Sequence, residues 1–117
     1  MTKRAAALAL ILLASPVAAQ NLDGVYHWVD TDPATSCDTD GYNPFQVTIE
    51  GNKVSFVETQ CKLGNPEEIS DMPEGTLYEA VCSGEGDTWT ERMLVYETFD
   101  GVALLSRGAA RTYTRCQ

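Results

Sequence analysis

The densest group of side chains that could do chemistry is acidic. Asp30, Asp32, Asp38 and Asp40 bracket Cys37 in the stretch Asp-Thr-Asp-Pro-Ala-Thr-Ser-Cys-Asp-Thr-Asp-Gly. Several hard oxygens from one loop are what calcium takes as ligands. The EF-hand spacing is not met, because Tyr42 stands where a third oxygen ligand belongs and Asn43 where the glycine belongs. The stretch reads as a solvated loop with Asx turns, and no metal is expected. Ser83-Gly84-Glu85-Gly86-Asp87 has the glycines of a phosphate cradle but neither its lysine nor a following helix, and Glu85 and Asp87 would repel phosphate. It reads as a hairpin turn that carries an acidic tip next to Trp89. Arg107, Arg111 and Arg115 recur at intervals of four, which puts them on one face of a strand, although Gly108 interrupts the run.

Catalytic groups are scarce. His27 is the only histidine, and a serine or cysteine nucleophile normally needs such a base with an orienting carboxylate. No serine lies in a Gly-x-Ser-x-Gly elbow, and four paired cysteines would leave no thiol. Carboxylates are plentiful, but glycoside cleavage also needs a substrate groove that so small a domain seldom offers. Neither an enzyme nor a cofactor is expected.

Cys37, Cys61, Cys82 and Cys116 are separated by 24, 21 and 34 positions, with no CxxC knuckle and no histidine close by in sequence. That spacing argues against zinc and for two disulfides formed in an oxidising compartment. Three connectivities are possible. Each bridge of the favoured set would close a loop of about 25 to 35 residues and contribute about 3 to 4 kcal/mol on the chain-entropy account.

The compartment has its own signal. Lys3 and Arg4 precede the apolar run Ala5 to Ala14, and Ser15-Pro16-Val17-Ala18-Ala19 supplies small residues at the last and third-last positions. Residues 1–19 therefore read as a secretory signal peptide cleaved before Gln20. The apolar run is short of the ~20 residues that span a bilayer as a helix, and nothing later is long enough, so no membrane insertion is expected after processing. The location is periplasmic or secreted. The whole chain has 117 residues, 17 acidic and 8 basic side chains and a net charge of -9. Cleavage would remove Lys3 and Arg4, leaving 98 residues at -11. Such a surface does not suit the phosphate backbone, so no nucleic-acid partner is expected.

The elements that must hold these groups are strands. No stretch of residues 20–117 keeps helical spacing over three turns, whereas short β-rich runs recur between Gly, Asn, Pro and Asp. Phe45, Val47 and Ile49 alternate with polar residues, and Gly51-Asn52 turns the chain into Lys53 to Val57, a two-residue hairpin with partners whose numbers sum to 103. Extended onward, this register places Cys61 opposite Tyr42, close to Cys37. Cys37 with Cys61 and Cys82 with Cys116 are therefore the favoured bridges. Residues 62–76, with two prolines, two glycines and four acids, read as an exposed connection. The fold class is all-β: one domain of six or more strands forming a small antiparallel barrel or a strongly curled meander sheet with two disulfides. Phe45, Phe56, Tyr78, Trp89, Tyr96 and Leu104 are the candidate core, with Trp28 closing one end. Glu58 falls in phase with Val54 and Phe56, pointing a carboxylate inward toward Arg92 or Arg115 unless a bulge intervenes.

The segments Glu58-Thr-Gln-Cys61, Cys82-Ser-Gly-Glu-Gly-Asp-Thr-Trp89-Thr-Glu-Arg92, Asp100-Gly101 and Tyr113-Thr-Arg115-Cys116 resemble a group of uncharacterised four-cysteine exported proteins of Gram-negative bacteria. That resemblance covers most of the chain after the signal and implies no activity. The overall plan also resembles the small antiparallel barrels of periplasmic lysozyme inhibitors, which block an enzyme cleft with a surface loop. Their motifs are not found here, so no inhibitory residue carries over.

Acidity, disulfide stapling and the missing catalytic apparatus together point to an exported, non-enzymatic binding module that acts through surface loops on a basic protein partner. Its candidate contacts are Glu85, Asp87, Trp89, Asp38 and Asp40. The alternatives are a small-molecule carrier with an apolar site at the barrel mouth near Tyr26 and Trp28, and an envelope component of structural role.

Overall fold

The computed structural model describes residues 21–117. The signal peptide expected over residues 1–19, with its cleavage site, lies outside the described residues. Eight antiparallel strands close into an up-and-down barrel in chain order. They are β1 (Gly24–Trp28), β2 (Gln46–Glu50), β3 (Lys53–Ser55), β4 (Gln60–Ile69), β5 (Met72–Gly84), β6 (Asp87–Glu97), β7 (Gly101–Ser106) and β8 (Ala109–Arg115). Closure comes from β8 pairing back onto β1, with Tyr26 opposite Arg115 and Trp28 opposite Tyr113. Closure pairs every strand on both sides over part of its length, although β4 beyond Lys62 has no partner on β3 and β6 before Met93 has none on β7. No helix among the described residues is long and apolar enough to cross a membrane.

Turn chemistry sets the register. In the β2–β3 hairpin Thr48 faces Ser55, Ile49 faces Val54 and Glu50 faces Lys53, the pairing expected from Gly51-Asn52. Gly51 takes a φ of 59°, which costs glycine nothing. At the β5–β6 tip Glu85 and Gly86 both have positive φ, at 51° and 81°, the requirement of a type I′ turn.

Three expectations are corrected. β3 ends at Ser55, and the chain reverses through residues 56–59, so Cys61 faces Val54 rather than Tyr42. Glu58 consequently sits exposed in a loop instead of pointing into the barrel. Residues 62–76 are not a connection but most of the long β4–β5 hairpin, turned at Ser70-Asp71. Pro66 is tolerated there because it falls in the register shift between Gly64 and Glu67, where the ladder needs no donor.

The disulfides change with the register. Cys61 and Cys82 face one another on β4 and β5 and are bonded, while Cys37 is bonded to Cys116. The favoured pairs, Cys37 with Cys61 and Cys82 with Cys116, are thus both replaced. Two such bridges belong to a protein that matures in an oxidising environment.

The core also differs from the aromatic set expected. It consists of Tyr26, Met93, Tyr113, several Val, Ile, Leu and Ala side chains and the Cys61–Cys82 bridge. Leu104 belongs to it, whereas Trp28, Phe56, Tyr78 and Trp89 pack partly buried against it. Tyr96 is half-buried on the outer face, opposite Ala103, and Phe45 precedes β2 and is 39% exposed. An eight-stranded barrel has room inside for packed side chains or one small ligand, and here Tyr26 and Tyr113 lie in the interior while the larger rings of Trp28 and Trp89 pack partly buried against it.

Candidate functional site

In an up-and-down barrel the β1–β2, β3–β4, β5–β6 and β7–β8 connections all emerge at one end. The first is the longest, residues 29–45, and it contains one helical turn, α1 (Pro33–Ser36). Asp32 caps it by accepting from the Ala34 N–H at 2.9 Å, and Pro33 sits where the missing N–H is harmless. Asp38 accepts from the Asp40 N–H at 2.9 Å. Two of the four clustered aspartates therefore serve as turn acceptors, as the Asx reading requires.

This loop folds back over the outer face of β1. The side-chain amides of Asn43 and Gln46 both donate to the carbonyls of Ser36 and Asp38, and the Cys37–Cys116 bridge ties the loop to the residue after β8. His27 points outward from β1, alternating with Tyr26 and Trp28, yet is only 5% exposed. Its Nδ1 lies 3.1 Å from the Thr31 hydroxyl, which donates its own hydrogen to the Trp28 carbonyl at 2.6 Å. Nδ1 must therefore carry the ring hydrogen and donate it. The histidine bonds a hydroxyl rather than a carboxylate, and no cysteine is free.

Glu85 and Asp87 stand exposed at the β5–β6 tip. Gly84 in this hairpin is packed so closely on the neighbouring β3–β4 turn that a Cβ there would lie 2.6 Å from the Glu58 carbonyl. Glu58 thus joins the same acidic sector, a neighbour that sequence spacing does not reveal. Trp89 lies on the inner face of β6, half-buried, and its indole donates to Glu91 at 3.1 Å. Asp38 and Asp40, on the β1–β2 loop, are four strands round the barrel from Glu85 and Asp87.

The sequence reading missed what lies between. On β8, Arg111, Tyr113 and Arg115 share the inner face, and Arg107 falls in the β7–β8 turn. Arg111 places its guanidinium 3.5 Å from the centre of the Trp28 ring, and Trp28 meets Phe45 edge-on at 4.8 Å and 73°. Arg115 covers the Tyr26 ring at 4.9 Å and donates to the Asp23 carbonyl at 2.8 Å. The interval of four between these arginines was the available signal. It needed β8 to begin at Ala109, beyond the break at Gly108. Burial raises the pKa of Tyr113, offset in part by the charge of Arg111. Burial likewise raises that of Tyr26, offset in part by Arg115.

Other groupings are already accounted for. Cys61, Cys82 and Glu91 come within 4.8 Å of one another, but the two sulfurs are bonded to each other and offer no thiolate. An open depression of about 680 Å³ lies on the outside of β4–β6, where Asn65 donates to Glu79 and Arg92 pairs with Glu67. Neither arginine thus takes the role expected opposite Glu58. At the far end of the barrel, Glu97 Oε2 and Thr98 Oγ1 are buried with no hydrogen-bond partner among the described residues.

Comparisons with known protein families, with curated proteins and with solved structures find no match.

Proposed function

We propose that the protein is an exported, non-enzymatic binding module that docks on a protein partner through the loop-bearing end of its barrel. The observation that carries this reading is the filled interior: Tyr26, Val47, Val54, Ala80, Cys82 and Val102 have no exposed surface. Recognition is therefore left to the outer surface, and the loop-bearing rim is the part of it that this reading assigns to a partner. There Glu58, Glu85 and Asp87 form an acidic sector suited to a basic partner, steering encounter more than supplying affinity. Occlusion of a partner enzyme's cleft by the Glu85–Asp87 tip is the inhibitor-like form of the reading. A carrier with one apolar site at Tyr26 and Trp28 draws less from the geometry, because Tyr26 is fully buried and its hydroxyl donates to the Leu22 carbonyl at 2.5 Å.

The test is capture of a partner from envelope extract on immobilised protein at low and at high ionic strength. A basic protein should be retained at low salt, released at high salt, and lost when Glu85→Gln and Asp87→Asn are combined. Retention indifferent to salt and to the double substitution would remove this reading.

A further inference from the structure

We propose that Arg111, held over the indole of Trp28 beside Phe45, is a carboxylate-docking site for a protein partner. Arg111 makes no ion pair and donates no side-chain hydrogen bond among the described residues, where Arg92–Glu67 is the only ion pair. Arg107 likewise makes no ion pair, but of the two only Arg111 lies over an indole. Asp30, the residue that continues β1 past Trp28 toward Arg111, does not come within ion-pair distance of it. Arg115, its counterpart on β8, has its guanidinium committed to the Asp23 carbonyl.

A guanidinium over an aromatic face at 3.5 Å is oriented by the ring and keeps its N–H donors at its edge. A planar carboxylate meets that edge with two parallel hydrogen bonds. Because the indole already restrains the side chain, less rotamer freedom is lost on binding. Phe45, 39% exposed, walls one side and offers apolar contact to whatever carries the carboxylate. Tryptophan and arginine are also the side chains in which interface energy concentrates. Arg107 and Arg111 thus lie beside β1 on a rim that is otherwise acidic, with Asp30, Asp32, Asp38 and Asp40 on the β1–β2 loop and further acids on the β3–β4 and β5–β6 tips. A partner's carboxylate would fix the orientation that acidic steering alone leaves open.

The proposal rests on the binding-module reading only for the existence of a protein partner, and its test uses defined peptides. Three probes are titrated into isotope-labelled protein: acetyl-trialanine with a free C-terminus, acetyl-Ala-Glu-Ala amide and acetyl-trialanine amide. The two indole N–H resonances report separately, with Trp89 as the internal control. At least one carboxylate peptide should move the Trp28 signal saturably, more weakly as salt is raised, while the uncharged amide leaves it still. Which of the two moves it tells a chain terminus from an acidic side chain. Arg111→Gln should abolish the shift, Arg111→Lys should weaken binding several-fold, and Arg107→Gln should leave it in place. The same spectra show whether each variant is folded, and the lysine variant stands in if the glutamine variant is not. The proposal is overturned if neither carboxylate peptide moves Trp28, if the amide moves it equally, or if Arg111→Gln titrates like the parent. Any of these would leave the salt-sensitive capture through Glu85 and Asp87 untouched, and loss of that capture would leave this titration untouched.

Discussion

Cys37 is bonded to Cys116 across 79 positions, and the bond joins the single helical turn of the β1–β2 loop to the residue that follows β8. The other bridge, Cys61 to Cys82, closes only 21 positions between two adjacent strands. The two therefore do different work. One secures a loop against the barrel wall over His27, and the other sits in the core between strands that already pair.

On the chain-entropy account, removing the first bridge costs about 4.5 kcal/mol and the second about 3.4 kcal/mol. Local consequences separate them more clearly. Cys37→Ala with Cys116→Ala should release residues 30–44, so that limited proteolysis cuts there while the barrel core remains protected. Cys61→Ala with Cys82→Ala should lower global stability without opening that loop. Non-reducing peptide mapping checks the connectivity directly, and a Cys37–Cys61 peptide would contradict the fold.

Gly101 opens β7 where β8 passes closest. A Cβ at that position would lie 1.9 Å from the carbonyl oxygen of Tyr113 and 3.0 Å from the Thr114 Cα, both parts of the backbone. A backbone cannot yield as a flexible side chain can, so Gly101→Ala must displace the β7–β8 pairing that closes the barrel. The expected loss exceeds about 3 kcal/mol, at the high end for a single overpacking substitution. Gly64 is the contrast, since a Cβ there meets only the Glu79 carbonyl at 3.8 Å, an ordinary contact. Gly64→Ala should change the urea midpoint little, and equal losses for the two variants would refute the close approach.

How much of this was legible beforehand follows from which contacts are local. The Gly51-Asn52 hairpin was readable because turn type and alternation fix its register within a few residues. The same register, carried past Ser55, produced the wrong partner for Cys61, since nothing in Phe56 to Thr59 marks a reversal as strongly as Gly-Asn does. Proline and glycine in residues 62–76 read as punctuation, yet Pro66 occupies a bulge and Gly75 is buried where a Cβ would come 3.2 Å from the Tyr96 ring. Both are tertiary reasons invisible to local propensity. The candidate site fared similarly. The acidic tip at Glu85 and Asp87 stands as an exposed turn, but the stacking of Arg111 on Trp28 depends on β8 pairing with β1, which is the longest-range pairing in the barrel.

The tyrosines inside the barrel predict an alkaline limit to stability. Burial raises the phenol pKa of Tyr113 and of Tyr26 above the ordinary value of about 10, with Arg111 and Arg115 only partly offsetting it. Above that ordinary value the unfolded chain releases these protons while the folded chain still holds them. Protons are then more numerous on the folded state, so stability must fall as pH rises. It is complete below about pH 10 and is lost progressively as pH climbs from the unfolded toward the folded pKa. Urea midpoints should hold steady up to about pH 9 and decline above about pH 10, with the tyrosinate absorbance of the buried rings rising together with unfolding. Tyr113→Phe should flatten part of the decline, because phenylalanine has no proton to hold. A midpoint that stays constant through this range, or a decline unchanged by that substitution, would show that the buried phenols are not what limits the fold at high pH.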